Sequence, residues 1–351
     1  MDCRTLEKTL SPIDGERDAF ICLDPEGAQI RHPPPPHELD SYITPDDHVF
    51  HTMHMGVAVV DYSKYQLIID GLVERPLTLS LEQLKQLPQT SVTAFHECYG
   101  SPLKPPVEAL WRIGNVRWTG VQLSYLLSLV GVLPKNERRF IWSEGLDRGS
   151  FAGVTADRYQ KDFPIAKAIQ PEVLVAYEMN GEPLTKERGG PARLVVPGYF
   201  GTNSTKWLSR LSVQDERASG PYTTRFYNEI DPRDPQQKTL RPIWNVEVNS
   251  MITCPRPDES VLGPDIQVHG WAWSDHGIEK VEVSCDEGRT WIDTSLQSRF
   301  EYGWQRFDIT LQRPVGNCTL SARATSLNGD QQPLSGRRNH VHQISIAVAS
   351  R

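Results

Sequence analysis

No stretch of the 351-residue chain is long and apolar enough to cross a bilayer as a helix. The most apolar region, residues 121–133, contains Ser and Gly and stops short of the ~20 residues a span needs. The opening MDCRTLEKTLSPIDGERDAF has no apolar core of signal-peptide length and is too acidic for a transit peptide. A cytoplasmic protein that does not enter a membrane is expected. Cysteine is scarce: six residues, at 3, 22, 98, 254, 285 and 318, with no CxxC pair, which argues against a disulfide framework. Positive charge is in deficit. With 37 Lys and Arg against 44 Asp and Glu the net charge is −7, so nucleic acid is not an expected partner.

Proline and glycine are plentiful instead, 27 and 25 residues respectively, too many breakers for a helix bundle. The length suits two domains, each able to bury a core without disulfides. Residues 1–40 read as an irregular arm ending in RHPPPPHELD, either a flexible tail or an ordered strap on the main domain. From Tyr65 the pattern turns strand-like in YQLIIDGLV. SLEQLKQLP then reads as a short helix with Ser80 as N-cap and Pro88 as stop. VTAFHECYG is a buried strand running into a glycine turn, and TGVQLSYLLSLVGV carries helical spacing. FIWSEGLD, VLVAYEMNG and PARLVVPG read as further strands. Beyond the polar NEIDPRDPQQKTLRP, short alternating runs recur (IQVHGWAWS, IEKVEVSCD, CTLSARATS, HQISIAVAS), the pattern of an antiparallel sandwich of immunoglobulin type. The expectation is α+β: an arm over 1–40, a mixed domain over 41–240 and a β-sandwich over 241–351.

Three segments carry candidate chemistry. In His96-Glu97-Cys98-Tyr99-Gly100, a cysteine ending a strand beside a tight turn projects its sulfur at a loop surface, as nucleophile or metal thiolate. The competing reading is a buried structural thiol. His48, His51 and His54 recur every third residue and with His96 or Cys98 are a conceivable metal set, although Val49-Phe50 favours an extended backbone there. RGGPARLVVPGYFGTNSTKWL combines glycines with Arg188, Arg193 and Lys206, a pattern that suits an anionic cofactor or an ordinary turn-rich loop; it is neither GxGxxG nor Walker. Cys254 and Cys318, with Trp271 and Trp273 between them, mimic an immunoglobulin disulfide, but without a secretory signal the tryptophans read as core.

Taken in order, PPPPHELDSYITPDDHVF, YQLIIDGLVERPLTLSLEQLKQLP, FHECYG, IGNVRWTGVQLSYLL, EGLD, FPIAKAI, VLVAYEMNGEPL, GGPARLVVPG, STKWL and GWAWSDHGIEKVEVSCDEGRTW resemble the sulfite oxidase family of molybdopterin enzymes. The likeness runs from about Pro33 to the C-terminus. It implies a molybdenum–molybdopterin cofactor with a Mo–oxo centre and Cys98 as the single protein thiolate on the metal. It implies that Phe50, His51, Thr52, Met53, His54, Asp147, Arg188, Arg193, Ser204, Thr205 and Lys206 hold the pterin and its phosphate, Arg188 replacing a usual histidine. Tyr227 matches an active-site tyrosine, Trp111 is a candidate pocket wall, and the C-terminal sandwich implies a homodimer.

The chain departs from that family where sulfite would bind. Thr52, Leu103 and Gln343 stand where the resemblance implies oxyanion-binding arginines, and SPLKPP replaces the usual segment after the cysteine. Lost guanidinium contacts cost roughly 1.5–3 kcal/mol per charged hydrogen bond. Lys104, His51 and His340 are the candidate replacements, and FHTMHMG is closer to the sulfane dehydrogenase branch. The expectation is an oxidoreductase doing two-electron chemistry, oxygen-atom transfer, on a small sulfur-containing substrate less anionic or bulkier than sulfite. A true sulfite oxidase with a rebuilt anion site, a non-catalytic scaffold, and a zinc hydrolase built on the three histidines are the alternatives. No HPGG-type haem segment and no flavin segment is present, so an external acceptor (a cytochrome, a quinone or oxygen) is expected.

Overall fold

The computed structural model describes residues 19–102, 111–132, 139–231 and 233–350. Two five-stranded sheets build the N-terminal unit. In one, the strands run Gln160–Pro164, Phe140–Gly145, Leu208–Gln214, Gln66–Gly71 and Leu77–Ser80, all antiparallel except the Leu208–Gln214/Gln66–Gly71 pair. Gly71 makes that pairing possible: it sits at φ +85°, and a Cβ there would lie 2.3 Å from the Val213 carbonyl oxygen. The second sheet sets Gln89–Glu97 against Ile113–Gln122 and then Leu174–Met179, which also pairs with Glu182–Pro183 and Arg193–Val195. Leu67, Ile69, Leu211 and Val213 from the first sheet meet Val121, Val175 and Leu194 from the second in one apolar core.

Helices are few and short among the described residues, so this unit is mostly β rather than evenly mixed. Leu81–Gln86 forms where expected, closed by a reciprocal capping box: the Gln83 N–H donates to Ser80 Oγ and the Ser80 N–H to Gln83 Oε1. The helical spacing of TGVQLSYLLSLVGV is only half used. Ile113–Gln122 is strand, and the helix is confined to Leu123–Val130, stopped by Gly131 at φ +66°. Val121 and Leu123 face the core either way, so the apolar pattern leaves the changeover point open. Of the arm expected over 1–40, the described part forms the ordered strap: Phe20–Glu26 pairs with Gly56–Val60, and Gln29–Arg31 with His51–Met53.

The C-terminal unit is two sheets over one core. Asn249–Cys254, Asp265–Trp273, Gln305–Gln312 and Ser295–Leu296 form one; Ser260–Leu262, Gln343–Ala349, Gly316–Ser326, Ile278–Ser284 and Ile292–Asp293 form the other. Val268, Phe307, Val283, Leu320 and Ile346 fill the space between. Cys254 and Cys318 are free thiols, and Trp271 and Trp273 are core. Those tryptophans join Phe95, Trp111 and Phe200 in a cluster spanning both units, so the cysteine strand is braced from the C-terminal side.

Candidate active site

Strand Gln89–Glu97 releases the chain at Cys98, and the turn is held from both sides. The Cys98 N–H donates to the Arg112 carbonyl at 2.9 Å, and the Ser101 N–H to the Cys98 carbonyl at 3.2 Å. The preceding Glu97 is buried; it accepts from Arg338 Nη2 at 2.6 Å and from Trp273 Nε1 at 2.8 Å. Burial pushes its carboxyl upward, against the downward pull of the Arg338 charge. A strand end pinned this firmly presents the sulfur in a defined place. Cys98 Sγ accepts from the Gly100 N–H at 3.4 Å and has Thr52 Oγ1 and Arg112 Nη1 each at 3.9 Å.

The sulfur faces a cavity that collects the predicted cofactor residues from distant parts of the chain. Phe50, His51, Thr52, Met53 and His54 line it, as do Asp147, Arg188, Arg193, Ser204, Thr205, Lys206 and Tyr227. His96, Tyr99, Trp118, Tyr159 and Thr202 also line it. Sequence reasoning named His96 only as a metal ligand and passed over the other four. Tyr99 was findable by adjacency to Cys98. Trp118 is placed by the register of strand Ile113–Gln122, and Tyr159 and Thr202 by the packing of the segments next to Gln160–Pro164 and at Gly201–Asn203, for which local sequence carries no signal.

Three cations crowd this cavity. Arg188 donates from Nη1 to the Phe50 carbonyl at 2.8 Å and from Nη2 to the Asp46 and Val49 carbonyls. Arg193, 3% exposed, donates to the Arg188 and Ser204 carbonyls at 3.1 Å each, and its Nε has no partner. Lys206 Nζ donates to the Glu187 carbonyl at 3.0 Å. None of the three forms an ion pair among the described residues. Burial, then the neighbouring guanidinium of Arg188, lowers Arg193 to about 9, and burial, then Arg193 and Arg188, drives Lys206 well down. The buried carboxyl nearby, Asp147, is itself pushed up to about 7 by burial. Buried charge of one sign is costly unless an anion neutralises it. The donor set therefore fits a phosphate-bearing cofactor, and Cys98 Sγ, a soft donor, faces the same cavity.

His54 and Tyr227 form a pair, Nε2 to phenol oxygen 2.7 Å. Burial, then Lys206, lowers His54 to about 4; burial, then the Cys98 charge, raises the Tyr227 phenol. Both are neutral near pH 7, and the imidazole tautomer sets which of them donates across this bond. Tyr227 holds this position at φ +57°, an uncommon backbone state for a bulky residue. His51 and His342 are also lowered to about 4, chiefly by burial. An unfolded histidine takes up a proton near 6.5, whereas these three resist it until about 4. Their contribution to stability is therefore complete above pH 6.5 and lost as pH falls toward 4. A thermal scan should show Tm level from pH 8 to 7 and lower by about 5 °C or more at pH 4.5, with a shallower fall in His54→Gln.

Other predicted positions fall elsewhere. Trp111 does not line the cavity: it is 1% exposed and packs edge-on against Trp273 and His342, at ring distances of 6.1 and 5.0 Å. Its apolar bulk is used to brace the two units. Lys104 and Leu103 lie outside the described residues. Gln343 and His340 face a separate surface depression near Glu287 and Trp291. Among the described residues no three His, Cys, Asp or Glu side chains converge as a metal cage, so the histidine-only metal set is not formed. No described helix is long and apolar enough to cross a membrane.

The chain matches the Oxidoreductase molybdopterin binding domain over residues 54–222 and the Mo-co oxidoreductase dimerisation domain over residues 240–337. With the cation-lined cavity, these matches define the class: a molybdopterin-binding domain of oxidoreductase type followed by a dimerisation-type domain. It is 32% identical to the mitochondrial sulfite oxidase of Mus musculus, over 87% of this chain and 62% of that protein. It is also 32% identical to the sulfite oxidase of Arabidopsis thaliana, over 86% and 85%. The chain thus spans less than two thirds of the mouse enzyme's length. Among solved structures, the sulfane dehydrogenase SoxCD from Paracoccus pantotrophus superposes with a TM-score of 0.76 at 29% identity, covering 91% of this chain and 88% of that one. The chain belongs to the sulfite oxidase family.

Proposed function

We propose that the protein is a mononuclear molybdenum oxidoreductase acting on a small sulfur-containing substrate, with sulfite not its preferred one. The observation that carries this reading is the convergence of Cys98 Sγ with the buried Arg188 and Arg193 and the half-buried Lys206, none with a carboxylate partner among the described residues. Molybdopterin, when bound, supplies two-electron redox and oxygen-atom transfer. Arg188, Arg193 and Lys206 would neutralise its phosphate, Ser204 and Thr205 would border it, and Cys98 would supply the one protein thiolate to the metal. Tyr227, fixed by His54, would keep a phenol oxygen beside the reacting centre and orient substrate or water there.

Thr52 at the cavity wall, and Gln343 facing away from it, support a substrate other than sulfite, since neither supplies a guanidinium. The sulfane dehydrogenase likeness favours a sulfur compound. The similarity to sulfite oxidases favours a second reading, sulfite turnover through a rebuilt anion site. Electrons would leave to a separate cytochrome, quinone or oxygen. The C-terminal unit we read as an immunoglobulin-like dimerisation domain: strand orders of four and five over one core support the sandwich, and the dimerisation-domain match supports a homodimer.

Metal and pterin analysis after expression with cofactor biosynthesis should find about one molybdenum per chain. A ferricyanide-coupled assay should show sulfite consumed at least about tenfold less efficiently (kcat/KM) than by a sulfite oxidase assayed beside it. No molybdenum would leave only the scaffold; equal efficiency would make sulfite the substrate.

A further inference from the structure

Arg112 stands beside Cys98 yet is not among the residues lining the cofactor cavity. Its backbone is locked to the cysteine turn: its carbonyl accepts from the Cys98 N–H at 2.9 Å, and its N–H donates to Ser101 Oγ at 2.9 Å. Gly100 makes room for the guanidinium, since a Cβ there would lie 2.5 Å from Arg112 Nη1. On its other side Nε points at His32 Nδ1, 3.5 Å away, so the N-terminal strap steadies the fork. The guanidinium has no ion pair among the described residues. Its charge is also felt by the Tyr227 phenol, opposing in part the upward push of burial. A half-buried guanidinium next to the Cys98 sulfur and outside the cofactor's own cation set is suited to receive an anion.

We propose that Arg112, steadied by His32, binds the oxyanion group of the substrate and selects singly charged sulfur oxyanions over dianions. The assignment rests on the molybdenum reading above. One guanidinium balances one charge and offers two parallel hydrogen bonds to two oxygens, the geometry of a sulfinate or a hydrogensulfite head. Tyr99 and Tyr227 pack edge to face, ring centroids 6.1 Å apart, and both line the neighbouring cavity, an aromatic wall that suits an organic remainder.

The test uses the molybdenum-loaded full chain and two unreactive probes, methanesulfonate and inorganic sulfate, titrated calorimetrically, with metal content measured on each sample. Wild type should bind methanesulfonate at least as tightly as sulfate. Arg112→Gln should weaken methanesulfonate at least about tenfold, the loss expected for one charged contact, with molybdenum content unchanged. Arg112→Lys should recover part of the binding. With methanesulfinate or sulfite as reductant and ferricyanide as acceptor, Arg112→Gln should raise KM and leave kcat within about threefold; whichever of the two is turned over identifies the source of the head group. Unchanged probe binding in Arg112→Gln, no binding by loaded wild type, a strong preference for sulfate, or a molybdenum content that falls with the substitution would each overturn the assignment. The last would make Arg112 a cofactor-holding residue. Wild type without molybdenum would instead sink the underlying reading, and the metal measurement separates the two failures.

Discussion

Cys98→Ser, expressed with cofactor biosynthesis intact, should lose turnover by about a thousandfold or more while keeping its fold. A serine hydroxyl is a hard, weakly acidic ligand where the site offers one soft thiolate, so redox chemistry at the metal is lost with the sulfur. Stability has little stake in this atom. The nearest donors lie at 3.4–3.9 Å, and the turn is held by backbone bonds at 2.9 and 3.2 Å. The change in unfolding free energy should stay within about 1 kcal/mol. Thermal melts, circular dichroism and a ferricyanide-coupled assay on whichever sulfur substrate the wild type accepts check both halves. Undiminished turnover would remove Cys98 from the chemistry.

Arg193→Met should reduce bound molybdenum to below about one tenth of wild type. Arg193 is 3% exposed, stacks 4.8 Å over the Trp118 ring and donates only to two carbonyls. In the protein without its cofactor that cation is a liability, which the like charge of Arg188 worsens. Methionine keeps the apolar bulk over Trp118 and discards the charge, so the lost hydrogen bonds and the relieved repulsion roughly cancel. The unloaded protein should melt within about 3 °C of wild type. The loaded protein should not form in quantity, because the phosphate loses a buried charge-assisted partner. Metal analysis alongside melting separates the two effects. A variant that keeps full loading would show that Arg188 and Lys206 suffice.

Much of the candidate site was legible through the family resemblance, because its motifs keep neighbouring side chains together in the chain. Phe50, His51, Thr52, Met53 and His54 are consecutive, as are Ser204, Thr205 and Lys206, and all line the cavity together. Trp111 was misplaced for a physical reason. An aromatic just before a strand can face a pocket or a neighbouring unit, and Trp273 arrives from a strand far along the chain to claim it. Arg112 escaped notice because nothing in WRIGN announces a partner fourteen residues earlier; the antiparallel register of Gln89–Glu97 with Ile113–Gln122 brings them together. For the arm, the sequence left a flexible tail and an ordered strap both open; residues 19–31 contain strands that pair with 51–60, a long-range contact with no local signal.

By itself the sequence determined the β-rich texture, the two-unit organisation and which segments are candidates for the site. Those properties reside in residue type and short-range spacing: a cysteine at a strand end, glycines beside arginines, apolar alternation. The tertiary structure decided which charges meet, which of them stay unpaired, and where Trp111, Gln343 and Arg112 finally point. Burial sets a cation's need for a partner, and burial is created only when distant strands close over it.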